Sequence, residues 1–469
     1  MHDVTHRPGT IVEERGEGWF RPARPVPFQQ RGGAFASLLA MRRNLISVFS
    51  EADYACGNSA TRLFGRQIVI LNDPDSIKHV MVTNNDNFER KSPQMRRALE
   101  HLVGDGLFIS DGETWQRRRP LVADIVHRNR LPHFARSMEA AASDMVSRWE
   151  MKPAESVFDV LGEMAELTAE IIAQTVFGQR LGSAAARSVV EGFTRYQRLI
   201  DSVNIGYFFG ADEGWPVFRG LRLRRSIRQI HKVIDDIVAR HVANSGDDNS
   251  MVELLVRRQA RSPELGLDLG ALCSEAATMF MAGHETTAAT LTWAWYLLSN
   301  APWVEQALHG ELEGVVGSRR PAVADVANLN WCRAVVEETL RLYPPVPLLP
   351  RQAANADRVA GIDIEPAALV VVAPWLLHRA TDLWDRPADF LPERFLGTQR
   401  PPPYTYIPFA AGPRVCPGMS FGLTEAILCL ATLAQRFKVR VAEGHRVEPH
   451  CRLSLRPRGG LPVHLERRG

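Results

Sequence analysis

The chain has 469 residues, and its 56 basic and 53 acidic side chains leave a net charge of +3. This near balance excludes a molecule-wide polycation, so we expect no nucleic-acid partner. The six cysteines are scattered without paired spacing, which is typical of reduced thiols in a cytoplasmic protein. Arginine far outnumbers lysine, which indicates a GC-rich, bacterial genome.

No linker, low-complexity tract or internal repeat divides the sequence, so we expect a single domain over residues 1–469. Residues 1–60 are predicted to form an irregular extension. Their first half is rich in charge, proline and glycine, and it lacks the apolar segment of a signal peptide. The longest apolar region, 271–299, carries His284 and Glu285 at its centre. Such a pair is costly in lipid, so we expect a buried helix and no transmembrane segment.

The apolar pattern predicts mostly helices with a few short strands. A strand or hairpin is expected over 62–71, followed by a helix at 74–83 and a loop region at 87–112. Helical spacing predicts scaffold helices within 138–177 and over 220–242. The basic face of the latter is interpreted as solvated, with peripheral membrane contact as the alternative. Four cations of the loop region are also more typical of surface than of a binding site: Arg90, Lys91, Arg96 and Arg97.

Two segments pair side chains at helical spacing. Trp115 and Arg119 lie four residues apart, on one face of a predicted helix. Glu338 and Arg341 lie three apart, in a later helix that ends at two prolines. By itself, either pair would be ordinary surface chemistry.

A long helix is predicted over residues 268–300, which at 1.5 Å per residue would span roughly 50 Å. At its centre, the sequence Ala-Gly-His-Glu-Thr-Thr at 282–287 brings small residues together with an acid and a hydroxyl. Glycine and threonine weaken regular helix hydrogen bonding, which would open room for water. A helix kinked by glycine, with a satisfied buried glutamate, is the alternative for this segment alone.

The most constrained stretch is the loop from Phe409 to Gly418, whose two glycines and two prolines exclude both strand and helix. It presents Cys416 just before a predicted helix, whose free N–H groups would keep the sulfur anionic. A single rigid cysteinate suits haem iron, because the porphyrin supplies four nitrogen ligands. Phe409 would shield the sulfur, and Arg414 would bind a propionate. Gly412 and Gly418 would let the backbone approach the macrocycle. A buried free cysteine is the alternative.

These four segments occur in the order W-x-x-x-R, (A/G)-G-x-(D/E)-T-(T/S), E-x-x-R and F-x-x-G-x-R-x-C-x-G, and over about residues 60–465 the chain resembles the cytochrome P-450 family. The resemblance implies a mainly α fold with a small β region. In this triangular-prism fold, haem b lies between the long central helix and the helix after the cysteine loop.

The resemblance also implies a role for each motif residue. Cys416 would be the axial thiolate ligand of the iron. Thr286 would hydrogen-bond to dioxygen, while Glu285 would relay protons from solvent. Glu338 and Arg341 would join a second arginine, Arg394, in a buried network that locks the cysteine loop. The residues implied to contact the cofactor are Trp115, Arg119, Arg351, Arg414, Phe409, Gly412 and Gly418.

The implied activity is that of a haem-thiolate monooxygenase. It would insert one oxygen atom from O2 into a lipophilic small molecule, by hydroxylation or epoxidation. Electrons would come from a separate ferredoxin or flavodoxin with its reductase, and we expect a monomer. A peroxide-using or rearranging haem-thiolate enzyme and a non-catalytic haem sensor or electron carrier are the alternatives. The Glu285-Thr286 pair argues against the peroxide user, which needs no proton relay.

Overall fold

The structure is a computed structural model, and it describes residues 11–29, 33–153, 155–178, 190–196, 205–209, 221–243 and 250–468. Over these residues the chain is mainly α-helical with small β-sheets, which confirms the predicted fold class. One large hydrophobic core spans the helical region, and a second core lies beside the largest sheet.

The N-terminal segment differs from the irregular extension that the sequence predicted. Strands β1 (Ile11–Gly16) and β2 (Trp19–Pro25) pair antiparallel, and helix α1 (Ala34–Arg43) follows. Ala23 is fully buried, and its carbonyl oxygen accepts a hydrogen bond of 2.6 Å from the Tyr343 hydroxyl. The prediction failed because the charged, proline-rich composition concealed a strand that contributes to the core.

The other helices follow in chain order. They are α2 (Pro74–Lys78), α3 (Asn85–Phe88), α4 (Pro93–Val103), α5 (Gly112–Ile125), α6 (Leu131–Glu150), α7 (Val160–Phe177), α8 (Ile205–Phe208), α9 (Leu221–Ala243), α10 (Met251–Arg261), α11 (Leu269–Ser299), α12 (Pro302–Val315), α13 (Asn330–Leu342), α14 (Pro374–Leu377) and α15 (Met419–Ala434). The region expected to be a loop at 87–112 contains α4. Its start signals were overlooked: Ser92 accepts a hydrogen bond from the Met95 N–H, and Pro93 occupies the first turn.

The remaining strands are short. They are β3 (Gly57–Leu63), β4 (Arg66–Asn72), β5 (Phe158–Asp159), β6 (Leu349–Gln352), β7 (Asp357–Val359), β8 (Ile362–Ile364), β9 (Leu369–Val372), β10 (Phe437–Val441), β11 (Pro449–Cys451), β12 (Leu455–Pro457) and β13 (Pro462–Arg467). The largest sheet has the order β3-β4-β9-β6, and β4 and β9 are its parallel pair. This sheet contains the hairpin predicted near residue 62. Leu349 of β6 belongs to the same hydrophobic cluster as Ile407, and Ala410 and Ala411 of the cysteine loop pack against that cluster.

Helix α11 confirms the long central helix. The Asp268 side chain caps it by accepting a hydrogen bond of 2.7 Å from the Ala271 N–H. At its centre, a Cβ atom on Gly283 would lie 2.4 Å from Cδ1 of Ile172 on α7. The Thr168 hydroxyl, also on α7, donates a 2.9 Å hydrogen bond to the His284 carbonyl oxygen. Gly283 is therefore required by the close approach of α7, and the helix continues through the segment without a break.

A buried ion pair ties α13 to the segment that follows α14. The Arg341 guanidinium binds the Glu338 carboxylate through two hydrogen bonds of 2.7 Å, and both side chains are fully buried. The remaining N–H groups of Arg341 donate to the carbonyl oxygens of His378, Pro387 and Asp389. A buried arginine is tolerated because every donor finds an acceptor.

Arg394 completes the network, as the sequence predicted. Its Nε lies 3.4 Å from Glu338 Oε1, which also accepts a 2.9 Å hydrogen bond from the Leu391 N–H. Within the described part of the chain, the hydrogen-bond partners of Glu338, Arg341 and Arg394 lie between residues 378 and 394 or on α13 itself. The network therefore holds that segment, and its hydrogen bonds stop short of the cysteine loop at 409–418.

We expect Glu338→Gln to lower the free energy of unfolding by about 3–5 kcal/mol, because it leaves the Arg341 charge buried without a counter-charge. The matched control is Glu337→Gln on the same helix. Its partner Arg400 is half exposed, so the loss should be about 1 kcal/mol or less. Urea unfolding followed by circular dichroism measures both. Equal losses in the two variants would contradict the assigned importance of the buried pair.

Candidate active site

The cysteine loop contains one turn of 3-10 helix at Gly412–Arg414. Helix α15 begins at Met419, three residues after Cys416. The Cys416 N–H donates a 2.8 Å hydrogen bond to the Phe409 carbonyl oxygen, which closes the loop. Gly418 caps α15, and a Cβ atom on it would lie 4.0 Å from the sulfur. The sulfur is thus presented by a closed turn at a helix N-terminus.

The ionisation of Cys416 differs from the expectation that the helix end keeps the sulfur anionic. Cys416 is accessible from a cavity, but protein surrounds that cavity, so burial raises the pKa of the thiol above its ordinary value. The Gly418 N–H, Arg119 and Lys91 lower the pKa, yet burial prevails. The protein alone does not fix a thiolate here. A coordinated metal ion would, because its charge deprotonates a thiol outright.

Gly412 has a different reason for being glycine than the one expected. Its φ is +68°, and a Cβ atom would lie 1.9 Å from the Met81 carbonyl oxygen. This left-handed conformation and this close approach each favour glycine. Gly412 therefore admits the backbone near residue 81, whereas Gly418 lines the cavity in front of the sulfur.

A large, mostly apolar cavity opens in front of Cys416 and reaches from α15 to the middle of α11. Phe409, Trp115 and Arg119 line it together with the sulfur. Much of the remaining wall is aliphatic, aromatic or thioether surface, including Met95, Phe108, Val126, Met251, Met279 and Val346. Such a wall suits a flat macrocycle and a lipophilic guest.

Four cations converge on this cavity, namely Lys91, Arg119, Arg351 and Arg414. Burial, with Arg351 and Arg414 nearby, holds the pKa of Lys91 well below its usual range. Burial likewise lowers the pKa of Arg351 to about 10, and Arg414 contributes. Lowered pKa values of this kind indicate buried cations that a bound anion would stabilise. Lys91 therefore corrects the expectation that it belongs to the solvated surface.

The hydrogen-bond donors of Arg414 indicate which anion this site would bind. Its guanidinium carbon lies 4.0 Å from the centre of the Trp115 ring, and its Nη1 donates a 2.8 Å hydrogen bond to the Ser110 carbonyl oxygen. Nη2 lies 3.5 Å from Glu89, too far for a good hydrogen bond, and Nε has no partner among the described residues. Free, buried donors beside three further cations fit the two carboxylates of haem b.

The central helix contributes small and hydroxyl-bearing residues to the same cavity. Ala282, Gly283 and Thr286 line it. The Thr286 hydroxyl donates its proton in a 2.7 Å hydrogen bond to the Ala282 carbonyl oxygen. Its oxygen lone pairs are then available to accept a hydrogen bond, so the group can hold a water molecule or a protonated ligand atom.

Glu285 occupies the other face of the helix. Its carboxylate accepts a hydrogen bond from the Ser454 hydroxyl and lies 3.6 Å from Arg456 Nε, and it does not line the cavity. The structure therefore brings Thr286 and Cys416 to one cavity and leaves Glu285 behind Thr286. A proton relay through Glu285 stays a prediction.

Sequence reasoning missed a second acid, Glu425 on α15. It is fully buried and lines the cavity, and its Oε2 accepts a 3.3 Å hydrogen bond from the Thr287 hydroxyl. Oε1 has no hydrogen-bond partner within the described ranges. Burial holds the pKa of Glu425 well above its usual range, which favours the protonated, neutral carboxyl group. Its position nine residues after Cys416, in an apolar helix, was the available signal.

Comparison with known proteins gives this site its family. The cytochrome P450 family model matches residues 34–461. The chain belongs to the cytochrome P450 family. It is 32% identical over 405 residues to cyclooctatin synthase of Streptomyces melanosporofaciens, covering 84% of this chain and 85% of that protein. It is 28% identical over 430 residues to a cytokinin hydroxylase of Arabidopsis thaliana, covering 87% and 82%.

The solved haem domain of cytochrome P450DA shows the same fold. Its TM-score is 0.76 at 22% identity, over 88% of this chain and 90% of that one. Membership makes this P450 a monooxygenase that carries haem b on an axial cysteine thiolate and uses O2, an organic substrate and a redox partner. Among the helices that the structure describes, none is both long and apolar enough to cross a bilayer.

Glu425→Gln should stabilise this P450 more as pH rises. The folded native chain keeps a proton on Glu425 that the unfolded chain releases above about pH 4.5, so its stability falls with pH until the raised folded-state pKa is reached. The glutamine variant lacks this dependence. Its advantage should grow by up to about 1.4 kcal/mol per pH unit.

Urea unfolding of both holoproteins at two pH values above 5 measures this difference. Infrared spectra at pH 7 supply a second readout, because the carbonyl band of a protonated carboxyl should disappear in the variant. A stability difference that is independent of pH, with an unchanged infrared band, would show that Glu425 is ionised.

Proposed function

We propose that this P450 hydroxylates or epoxidises a lipophilic small molecule with electrons from a separate ferredoxin or flavodoxin. The observation that carries the proposal is one apolar cavity shared by Cys416 and Thr286. The same proposal places a bacterial, monomeric enzyme in the cytoplasm. The near-neutral charge, the unpaired cysteine spacing and the arginine-rich composition support these points.

The chain's own residues divide the work between holding the cofactor and handling protons. Haem, bound through Cys416, supplies the activation of O2. Lys91, Arg119, Arg351 and Arg414 would hold its two carboxylates, and Phe409 would exclude water from the sulfur. The closed, apolar wall keeps bulk water away from the reacting centre.

Two acids supply protons to this centre in our proposal. The Thr286 hydroxyl donates its hydrogen bond to the Ala282 carbonyl oxygen, so toward the cavity it acts as an acceptor that positions water. Glu285 stands behind it, with Ser454 and Arg456 on its outer side, and would pass protons inward. Glu425, on α15, accepts a hydrogen bond from the Thr287 hydroxyl, and its raised pKa favours the protonated form. Proton transfer by positioned groups of this kind accelerates oxygen chemistry.

The cavity wall supports a lipophilic substrate. Methionine side chains at three positions, Met95, Met251 and Met279, can adapt to irregular shapes. Relatives named for cyclooctatin synthesis and cytokinin hydroxylation support an oxidised organic molecule as the product. We infer a compact, largely apolar substrate that fills the space between Phe108 and Thr286.

A ligand screen tests the proposal directly. Terpenoids, steroids, fatty acids and aromatics are titrated into the ferric holoprotein, and a spin-state shift of the haem spectrum identifies binders. Each binder is then incubated with NAD(P)H and either a ferredoxin or a flavodoxin system. Oxygenated product that requires O2 and a donor protein supports the proposal. Turnover with peroxide alone would contradict it and favour the peroxide-using alternative.

We expect Thr286→Val to uncouple the reaction. The variant keeps the side-chain shape but removes the oxygen that positions water, so product per O2 consumed should fall on the order of tenfold. Thr292→Val is the matched control, because that hydroxyl also donates to a carbonyl of α11 but is fully buried away from the cavity. Oxygen-electrode traces and product analysis measure the ratio. Equal coupling in the two variants would remove Thr286 from the mechanism.

A further inference from the structure

A fully buried histidine lies between the ion-pair network and the cysteine loop. We propose that His378 is a positioning residue that holds the entrance of the cysteine loop through its imidazole. Its Nε2 accepts a 2.9 Å hydrogen bond from the Ile407 N–H, two residues before Phe409. Its own backbone carbonyl oxygen accepts a 2.7 Å hydrogen bond from Arg341. One residue therefore connects the network to the loop that the network itself does not reach.

The tautomer of His378 follows from these contacts. Because Nε2 accepts a hydrogen bond, the ring proton is on Nδ1, which faces the carbonyl oxygens of Leu340 and Arg341 without ideal geometry. Burial, together with the charges of Arg341 and Arg379, lowers the pKa of His378 to about 3. The ring stays neutral at any working pH and is a permanent acceptor.

The Ile407 amide is well placed to control the loop. The Ile407 carbonyl oxygen accepts a 3.1 Å hydrogen bond from the Ala410 N–H. The Phe409 carbonyl oxygen then accepts the 2.8 Å hydrogen bond from the Cys416 N–H. Backbone hydrogen bonds thus continue from the His378 ring toward the sulfur. A displaced Ile407 would shift the carbonyl that fixes the cysteine backbone.

A neighbouring contact provides a comparison. The Tyr406 hydroxyl donates a 2.9 Å hydrogen bond to the Glu337 carbonyl oxygen, so α13 also holds the residue before Ile407. The Tyr406 and His378 rings lie 5.3 Å apart. The contact with α13 holds Tyr406 by its side chain, however, whereas His378 binds the loop backbone itself. This difference predicts that losing the imidazole acceptor affects the iron ligand specifically.

The test uses holoprotein variants at one buried position and a control beside it. His378→Leu removes the acceptor, while His378→Gln retains an amide oxygen that can accept from the Ile407 N–H. Leu376→Ala, two residues before His378 and fully buried, introduces a cavity without removing the acceptor of that amide. Each protein is reduced under carbon monoxide, and the red-shifted Soret band of thiolate ligation is compared with the unshifted band.

We expect the ratio of unshifted to shifted species to rise on the order of tenfold in His378→Leu, the size of one lost hydrogen bond. Hydrogen exchange of peptides covering 405–416 should accelerate in this variant, while peptides of α13 stay protected. His378→Gln should restore the native ratio, and Leu376→Ala should keep it despite lower stability.

Three results would overturn the proposal. The first is a native carbon monoxide spectrum and native exchange at 405–416 in His378→Leu. The second is a glutamine variant that folds and is as defective as the leucine variant. The third is equal loss of the shifted band in Leu376→Ala, which would reduce His378 to ordinary core packing. If His378→Leu does not fold, the glutamine variant and the control still decide between these outcomes.

Discussion

The structure depends on a sulfur that its protein surroundings disfavour as an anion. Burial raises the pKa of Cys416, and the helix N-terminus and nearby cations reduce this effect without reversing it. Iron coordination would favour the thiolate, and the fold holds the sulfur in one place. The closed turn at 409–418 and the left-handed glycine at 412 serve this geometric purpose, while the buried network of α13 holds the segment at 378–394.

Charge is distributed around the cavity according to the same logic. Cations gather where carboxylates of the cofactor belong, and burial lowers the pKa of all four: Lys91, Arg119, Arg351 and Arg414. Acids occupy the other side, where burial favours the protonated form of Glu425 and Glu285 lies on the far face of α11. The separation lets one region stabilise negative charge while the other retains protons. A pocket that bound only an apolar molecule would need neither the cations nor the acids.

The sequence predicted the site's defining residues because their spacing is fixed by local structure. Trp115 and Arg119 share a helical face, and Glu338 and Arg341 lie within one helical turn, so neither pair depends on tertiary detail. Other contributors depend on distant contacts. Lys91 resembles a surface residue until β6 brings Arg351 alongside it, and Gly412 is explained only by the carbonyl of Met81. Glu425 and His378 belong to none of the four motifs, and their importance comes from what faces them across the core.

The central claim is that Cys416 holds haem iron as a thiolate within this cavity. Its most direct test is the absorption spectrum of the reduced, purified protein under carbon monoxide. The account predicts the strongly red-shifted Soret band of thiolate ligation in the native chain and its loss in Cys416→Ala. A native protein that binds haem and shows only the unshifted band would contradict it.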